Sequence, residues 1–154
     1  MSDQGQLSLH SIAFSHGGHI PPLYTCEGKN NNPPIEISGI PGDAKSLALI
    51  MEDPDAPNGT FYHWLMWNIP PQNVINENNT PGICGRNNFN KNNYGGPCPP
   101  DGEHRYFFRI FALDTELELP EGSSHSELVN AMEGHILASG DIMGYYKKRG
   151  QTEN

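Results

Sequence analysis

Apolar and polar positions alternate in short bursts along this chain, and Gly, Pro and Asn separate one burst from the next. Leu47, Leu49 and Met51 fall on one side and Ala48 and Ile50 on the other, which predicts a buried strand over Lys45–Glu52. A second strand is predicted over Phe61–Ile69, with His63, Leu65, Trp67 and Ile69 on one face and Trp64 and Met66 on the other. Arg105–Leu113 is a third, with Tyr106, Phe108 and Ile110 sharing a face. Shorter candidates are Ser8–Phe14, Pro34–Ser38 and the acidic stretch Thr115–Leu119. One segment changes period. Ser124-His125-Ser126-Glu127 reads as a capping box, followed by Leu128, Met132 and Ile136 at helical spacing. Gly134 and Gly140 weaken that helix, and a second short helix is expected from about Asp141 to Lys148.

No internal repeat or composition break divides the 154 residues. The reading is a single domain over residues 7–150, with 1–6 and 151–154 as flexible ends. The chain carries 17 Gly, 14 Pro and 16 Asn, a surplus that favours turns and excludes a coiled coil or helical bundle. Many short strands with frequent turn signals make a mainly β domain, a sandwich or barrel with C-terminal helical decoration.

Charge narrows the partners. The formal net charge is −9, and the strongest basic run is only Lys147-Lys148-Arg149. Nucleic acid and anionic membrane surfaces both require a basic patch, so neither is an expected partner. Apolar runs such as Leu47–Met51 are far shorter than the ~20 residues of a spanning helix, so no integral membrane association is expected. The first residues have neither a basic nor an apolar region, and no secretory signal is read there. Cys26, Cys84 and Cys98 are odd in number and widely spaced. They do not suggest a disulfide framework, and a reducing cytoplasm is the simpler expectation.

Three local patterns carry candidate chemistry. Asp53-Pro54-Asp55-Ala56-Pro57 follows the strongest strand, and its prolines stiffen a loop that displays two carboxylates. A proline-rich turn with solvated acids is the competing interpretation. His63-Trp64 begins the next strand after a short connection, which brings Asp53 within reach of one His63 nitrogen; a satisfied structural histidine is the alternative. The third pattern runs from Tyr94-Gly95-Gly96-Pro97-Cys98 through Pro99 and Pro100 to His104-Arg105-Tyr106. A Gly-Gly-Pro loop exposes backbone N–H groups, and His104 and Tyr106 share a strand face. Imidazole, phenol and free amides together suit a phosphate or carboxylate. Arg105 points the other way, towards a structural salt bridge with a partner such as Asp55.

Other constellations are missing: the chain has no Gly-x-Ser-x-Gly, Walker loop, His-Glu-x-x-His or Cys-x-x-Cys. His10, His16 and His19 are irregularly spaced, and no metal site is assigned to them. His125 and His135 read as structural or surface residues. Cys98 is either a reactive thiol or a small residue in a tight loop, and the second reading is preferred because no basic neighbour lies beside it in sequence.

Together these patterns resemble the phosphatidylethanolamine-binding protein family, also called the Raf kinase inhibitor-like family, and within it the bacterial and archaeal branch. The resemblance spans nearly the whole chain. It takes in Ile20–Gly28, Asn32-Pro33-Pro34, Ser46–Leu49, Asp53–Pro57, His63-Trp64, Gly85–Phe89, Tyr94–Pro100, His104–Tyr106 and Ala131–His135. It departs at Asn32, where many relatives have Ser, and at Glu27, where many have Asp. It implies a large antiparallel sheet packed on a smaller one, with short peripheral and C-terminal helices. It also implies a small anion pocket at one end of the sheet, built from Asp53, His63, His104 and Tyr106, with the backbone of Gly95, Gly96, Pro97 and Cys98 along its wall. Asp55, Arg105 and Trp64 would support that pocket.

Three functions follow as expectations. The first is a non-enzymatic, regulatory binding protein for a phosphate-bearing ligand: a phospholipid head group, a phosphorylated small molecule or a phospho-residue. The second is a protein inhibitor or regulator of a protease or kinase, acting through a surface interface. The third is a hydrolase-like enzyme using an Asp–His pair, disfavoured because no activated nucleophile or cofactor motif is present. No cofactor is expected. A homodimer formed through exposed Trp or Tyr near the pocket is a further expectation.

Overall fold

The computed structural model describes residues 5–149, and within them the alternating segments pair into two sheets. In chain order the strands are β1 (Gly5–Gln6), β2 (Ser8–His10), β3 (Ile35–Ser38), β4 (Ser46–Asp53), β5 (Phe61–Ile69), β6 (Val74–Ile75), β7 (Ile83–Cys84), β8 (His104–Leu113) and β9 (Ile136–Tyr146), with helix α1 (His125–Met132) between the last two. The large sheet has the order β1-β9-β8-β4-β5-β7 and the small one β2-β3-β6. All pairings are antiparallel except that of β1 with β9, which makes the large sheet mixed. Residues 5 and 6, expected to fray, are held there opposite Ala138 and Ser139. Residues 1–4 and 151–154, the rest of the expected flexible ends, lie outside the described residues.

Two apolar layers result. Between the sheets lie Leu47, Leu49, Met51, Trp64, Met66, Tyr106, Phe108 and Ile110, packed on Ile35, Ile37 and Ile75 of the small sheet. On the far side, Ala48, Ile50, Leu65 and Trp67 meet Leu117, Leu128 and Met132. Burial on both faces explains why β4 is nearly continuous in apolar residues.

The period-two pattern of β5 breaks twice. Leu47 pairs with Ile69 and Leu49 with Met66, so Trp67 and Asn68 together oppose Ala48; Asn68 takes φ 54° at this bulge. Met51 then pairs with Trp64 and Glu52 with Tyr62, which leaves His63 as the extra residue of a second bulge. Each bulge reverses the facing of the residues on one side of it relative to the other. Ile69 therefore joins the inter-sheet layer, and His63 reaches the Tyr106 ring, at 5.3 Å between centroids. The single face expected for His63, Leu65, Trp67 and Ile69 is corrected on this ground.

The C-terminal expectations also change. The capping box is present, with Ser124 Oγ accepting from Glu127 N at 3.2 Å and Glu127 Oε1 accepting from Ser124 N at 2.8 Å. The helix ends at Met132, however, because Gly134 adopts φ 84°, and Ile136 already belongs to β9. The second helix expected at Asp141–Lys148 is instead the second half of β9 and the residues after it. A side chain at Gly144 would lie 2.7 Å from Ile20 and 2.9 Å from Phe14, so close packing of a neighbouring segment selects glycine there. Thr115–Leu119 is not a strand. Side chains hold it instead: Asn68 accepts from Leu117 N at 2.7 Å and donates to its carbonyl at 2.9 Å, and Trp67 Nε1 donates to the Leu119 carbonyl at 3.0 Å.

Candidate functional site

The end of β4 and the starts of β5 and β8 meet at one end of the large sheet, because both neighbours run antiparallel to β4. There Asp53, His63, His104 and Tyr106 line a cavity of about 460 Å³. Its walls are formed by the Ala56–Thr60 loop, Phe61, Asn88, Phe89, Cys98, Pro99 and Pro100. The four residues assigned to the pocket are therefore brought together.

Their hydrogen bonds differ from expectation. Asp53 Oδ2 lies 2.6 Å from Nδ1 of His104, with both side chains buried. His63 is oriented by a neutral group: its Nδ1 is 2.7 Å from the Gly95 carbonyl. The expected Asp53–His63 bond is absent because the bulge turns His63 towards Gly95, while the first residue of β8 comes to Asp53. The other Asp53 oxygen accepts from Asp55 N at 2.8 Å. Asp55 in turn holds Arg105, accepting from its backbone N, Nε and one terminal nitrogen, each at 2.9 Å. The two acids of the Asp-Pro-Asp loop thus grip two successive residues of β8, and the Arg105 partner is as expected.

Burial shapes the electrostatics. Desolvation pushes the His63 imidazole below its ordinary value, against the opposing pull of the Gly95 carbonyl and the Asp53 charge. Burial, reinforced by the Asp53 charge, pushes the Tyr106 phenol far above its ordinary value, so it stays a neutral hydroxyl. That hydroxyl makes no hydrogen bond of good geometry within the protein, although the Cys98 backbone N–H and the Asp53 carboxylate lie beside it. Bonding to Arg105 holds the Asp55 carboxyl below the usual range.

The Gly95–Cys98 wall is used differently from expectation. Gly95 N donates to the His63 carbonyl at 3.0 Å, and Gly96 N donates to Asn30 Oδ1 at 2.8 Å, so neither amide is free. Gly95, Gly96 and Pro97 do not line the main cavity; of this run only Cys98 does. A Cβ on Gly96 would collide with Asn30 and the Tyr24 carbonyl, so the glycine serves close packing. Trp64 supports from behind, edge-on to Tyr94 at 5.2 Å, and Tyr94 donates to the Tyr24 carbonyl at 2.6 Å. Both tryptophans are fully buried, which removes them as an exposed dimer seam.

Cys98 is bonded to Cys26, with 5.5 Å between the Cα atoms, and only Cys84 remains a free thiol. This corrects the expectation that the cysteines stay unpaired, and with it the main argument for a reducing compartment. Widely spaced cysteines give no pairing signal when the fold alone brings them together. Sequence reasoning also missed Phe61 and Phe89 as lining residues. Their rings lie 4.8 and 5.3 Å from the His63 ring, and Asn87 builds the turn carrying Phe89 by accepting from Phe89 N at 2.9 Å and Lys91 N at 3.1 Å. Among the described residues no group of three or more His, Cys, Asp or Glu is placed to hold a metal ion, and no helix is long and apolar enough to cross a membrane.

A two-sheet β protein with a carboxylate–imidazole pocket at one end of the large sheet is the class these features define. Residues 10–147 match the family model of the phosphatidylethanolamine-binding proteins, and the chain belongs to that family. A protein of Methanothermobacter thermautotrophicus named only as UPF0098 is 45% identical over 150 residues, covering 92% of this chain and 99% of the relative. A homologue of the family from Chlamydia trachomatis superposes with a TM-score of 0.89 at 40% identity, covering 94% of this chain and 99% of that one. Escherichia coli YbcL, described as a new member of the mammalian family, superposes with a TM-score of 0.86 at 27% identity, covering 94% and 100%.

Proposed function

We propose that the cavity captures the phosphate group of a small ligand and that the protein acts by binding rather than turnover. The observation that carries this is the convergence of His63, His104 and the buried Tyr106 hydroxyl in one concave site, with Asp53 orienting His104. A buried hydroxyl whose protein contacts are poorly formed gains a better partner in a ligand oxygen. The Phe61 and Phe89 rings provide an apolar flank for a short organic substituent. Cys98 is committed to its bridge and has no thiol to act as a nucleophile. The bridge also favours an oxidising compartment over the cytoplasm.

A net charge of −9 gives no long-range attraction for an anion, so affinity rests on local contacts. Inorganic phosphate alone is expected to bind with a Kd on the order of millimolar, about −4 kcal/mol. The test is a calorimetric or NMR titration with inorganic phosphate and O-phosphoethanolamine on wild type, His104→Ala and Tyr106→Phe. The phenylalanine variant keeps the core packing and removes only the hydroxyl. Saturable binding weakened in both variants supports capture at this site. Binding unchanged in both places the ligand elsewhere and overturns the reading.

A further inference from the structure

Of the 16 asparagines only Asn58 stands directly before a glycine. The pair is exposed in the turn between β4 and β5, and that turn lines the cavity. Asn32, Asn68 and Asn87 each use both side-chain atoms to hold remote backbone. The Asn58 side chain, by contrast, makes no hydrogen bond among the described residues. The backbone nitrogen that follows it, that of Gly59, donates only to the Ala56 carbonyl, at a long 3.3 Å. Gly59 stands at φ 108°, and no atom lies within 4 Å of where its Cβ would be. No side chain therefore hinders this nitrogen from approaching the Asn58 amide carbon, and the backbone freedom of glycine lets the turn bend to bring the two together.

We propose that Asn58 is a site of spontaneous deamidation, which places a new carboxylate in the wall of the cavity without the action of an enzyme. Gly59 N forms a bond to Asn58 Cγ and gives up its proton, while the side-chain nitrogen leaves as ammonia. The product is a five-membered succinimide. Water then opens the ring. Attack at the Cγ carbonyl gives aspartate, and attack at the main-chain carbonyl gives isoaspartate with one more methylene in the backbone. No oxidant or reductant takes part. Either product adds one negative charge to a chain already at −9. The new carboxylate shares the cavity with Asp53 and His63, and its field favours the charged form of the imidazole. Solvent at the exposed turn screens that field and keeps the effect small. The modification does not depend on what the cavity binds.

The experiment is incubation of the folded protein at mildly alkaline pH for several weeks. Peptide mapping follows the mass increase of amide-to-acid exchange, and ion exchange follows the gained charge. Asn58 should account for most of the deamidated product, at a rate no more than about tenfold below that of a free peptide of residues 54–62. Gly59→Ala, whose methyl group hinders the nitrogen, should slow the reaction at least about tenfold, and Asn58→Gln should remove the product. Asp101-Gly102 can isomerise through the same ring but without a change of charge, so the acidic species reads asparagine alone. Product mainly at other asparagines, or a folded protein slower than that limit, overturns the proposal. In Asn58→Asp, NMR of the His63 ring should find its titration midpoint raised by a few tenths of a pH unit. An unchanged midpoint overturns the claim that the new charge acts on the cavity.

Discussion

Asp53 meets His104 rather than His63: its Oδ2 lies 2.6 Å from His104 Nδ1, whereas His63 gives its Nδ1 to the Gly95 carbonyl at 2.7 Å. Two imidazoles of one pocket are therefore oriented by unlike acceptors, one a carboxylate and one a neutral carbonyl. Substitutions at Asp53 should act on His104 and leave the His63 tautomer in place.

The first prediction concerns that pair. Asp53→Ala removes the acceptor of the buried His104 ring and of the partly buried Asp55 amide just beyond the end of β4. Each unsatisfied buried donor costs about 1–3 kcal/mol, and relaxation recovers part of it. Asp53→Asn preserves shape and one acceptor oxygen and should cost less. Urea denaturation measures both. A loss below about 0.5 kcal/mol for Asp53→Ala would show that the pair does not hold the strand ends together.

The second concerns pH. Burial lowers the His63 value from 6.5, so the unfolded state takes up this proton first as pH falls. The contribution is fully present above pH 6.5 and is lost as pH falls through the lower folded value. His63→Gln should flatten that part of the acid limb of the stability curve. NMR of the His63 ring protons in the free protein should give a midpoint below 6.5, and added phosphate should move it upward. A midpoint above 6.5 in the free protein would contradict the burial argument.

Much of this site was legible because its chemistry lies in short contiguous motifs. Asp53 and Asp55 frame one loop, and His104, Arg105 and Tyr106 open one strand. The Asp55–Arg105 pair follows from these positions. The features hidden from the sequence depend on tertiary closure. His63 switches faces through a bulge that period-two reasoning cannot see, because Trp64 and Leu65 fit either register in a sheet buried on both sides. Residues 141–146 read as helical near a real helix, yet Gly140 and Gly144 are explained by Leu7, Phe14 and Ile20, distant in sequence. The Gly95–Gly96 amides looked free because Asn30, which takes up the Gly96 amide, enters from a remote loop.

The third prediction separates packing from ligand contact at the glycines. Alanine at Gly96 collides with backbone at Tyr24 and with the Asn30 side chain, so Gly96→Ala should destabilise by about 1–3 kcal/mol. Gly59, in a loop that lines the cavity, sits at φ 108° with no atom within 4 Å of a Cβ. Its alanine variant is strained by backbone conformation alone and should lose about 1 kcal/mol. Thermal denaturation of the two variants checks the order. A Gly96→Ala protein as stable as wild type would mean that the wall is loosely held.

The last prediction weighs the Cys26–Cys98 bridge against its neighbours. It closes a loop spanning 72 positions, and restraint of the unfolded chain over that length is worth about 4 kcal/mol. The pocket wall has other anchors: Cys26 N donates to the Pro97 carbonyl at 3.1 Å, Gly96 N to Asn30, and Tyr94 to the Tyr24 carbonyl. Reduction, or the Cys26→Ser/Cys98→Ser double variant, should therefore lower unfolding stability strongly while changing phosphate affinity little. Paired urea and phosphate titrations with and without a dithiol reductant measure both quantities. Thiol counting in denaturant before reduction should find Cys84 alone. If affinity fell with stability, the bridge itself would be shaping the site, and the surrounding hydrogen bonds would be too weak to hold Cys98 and Pro99 in place without it.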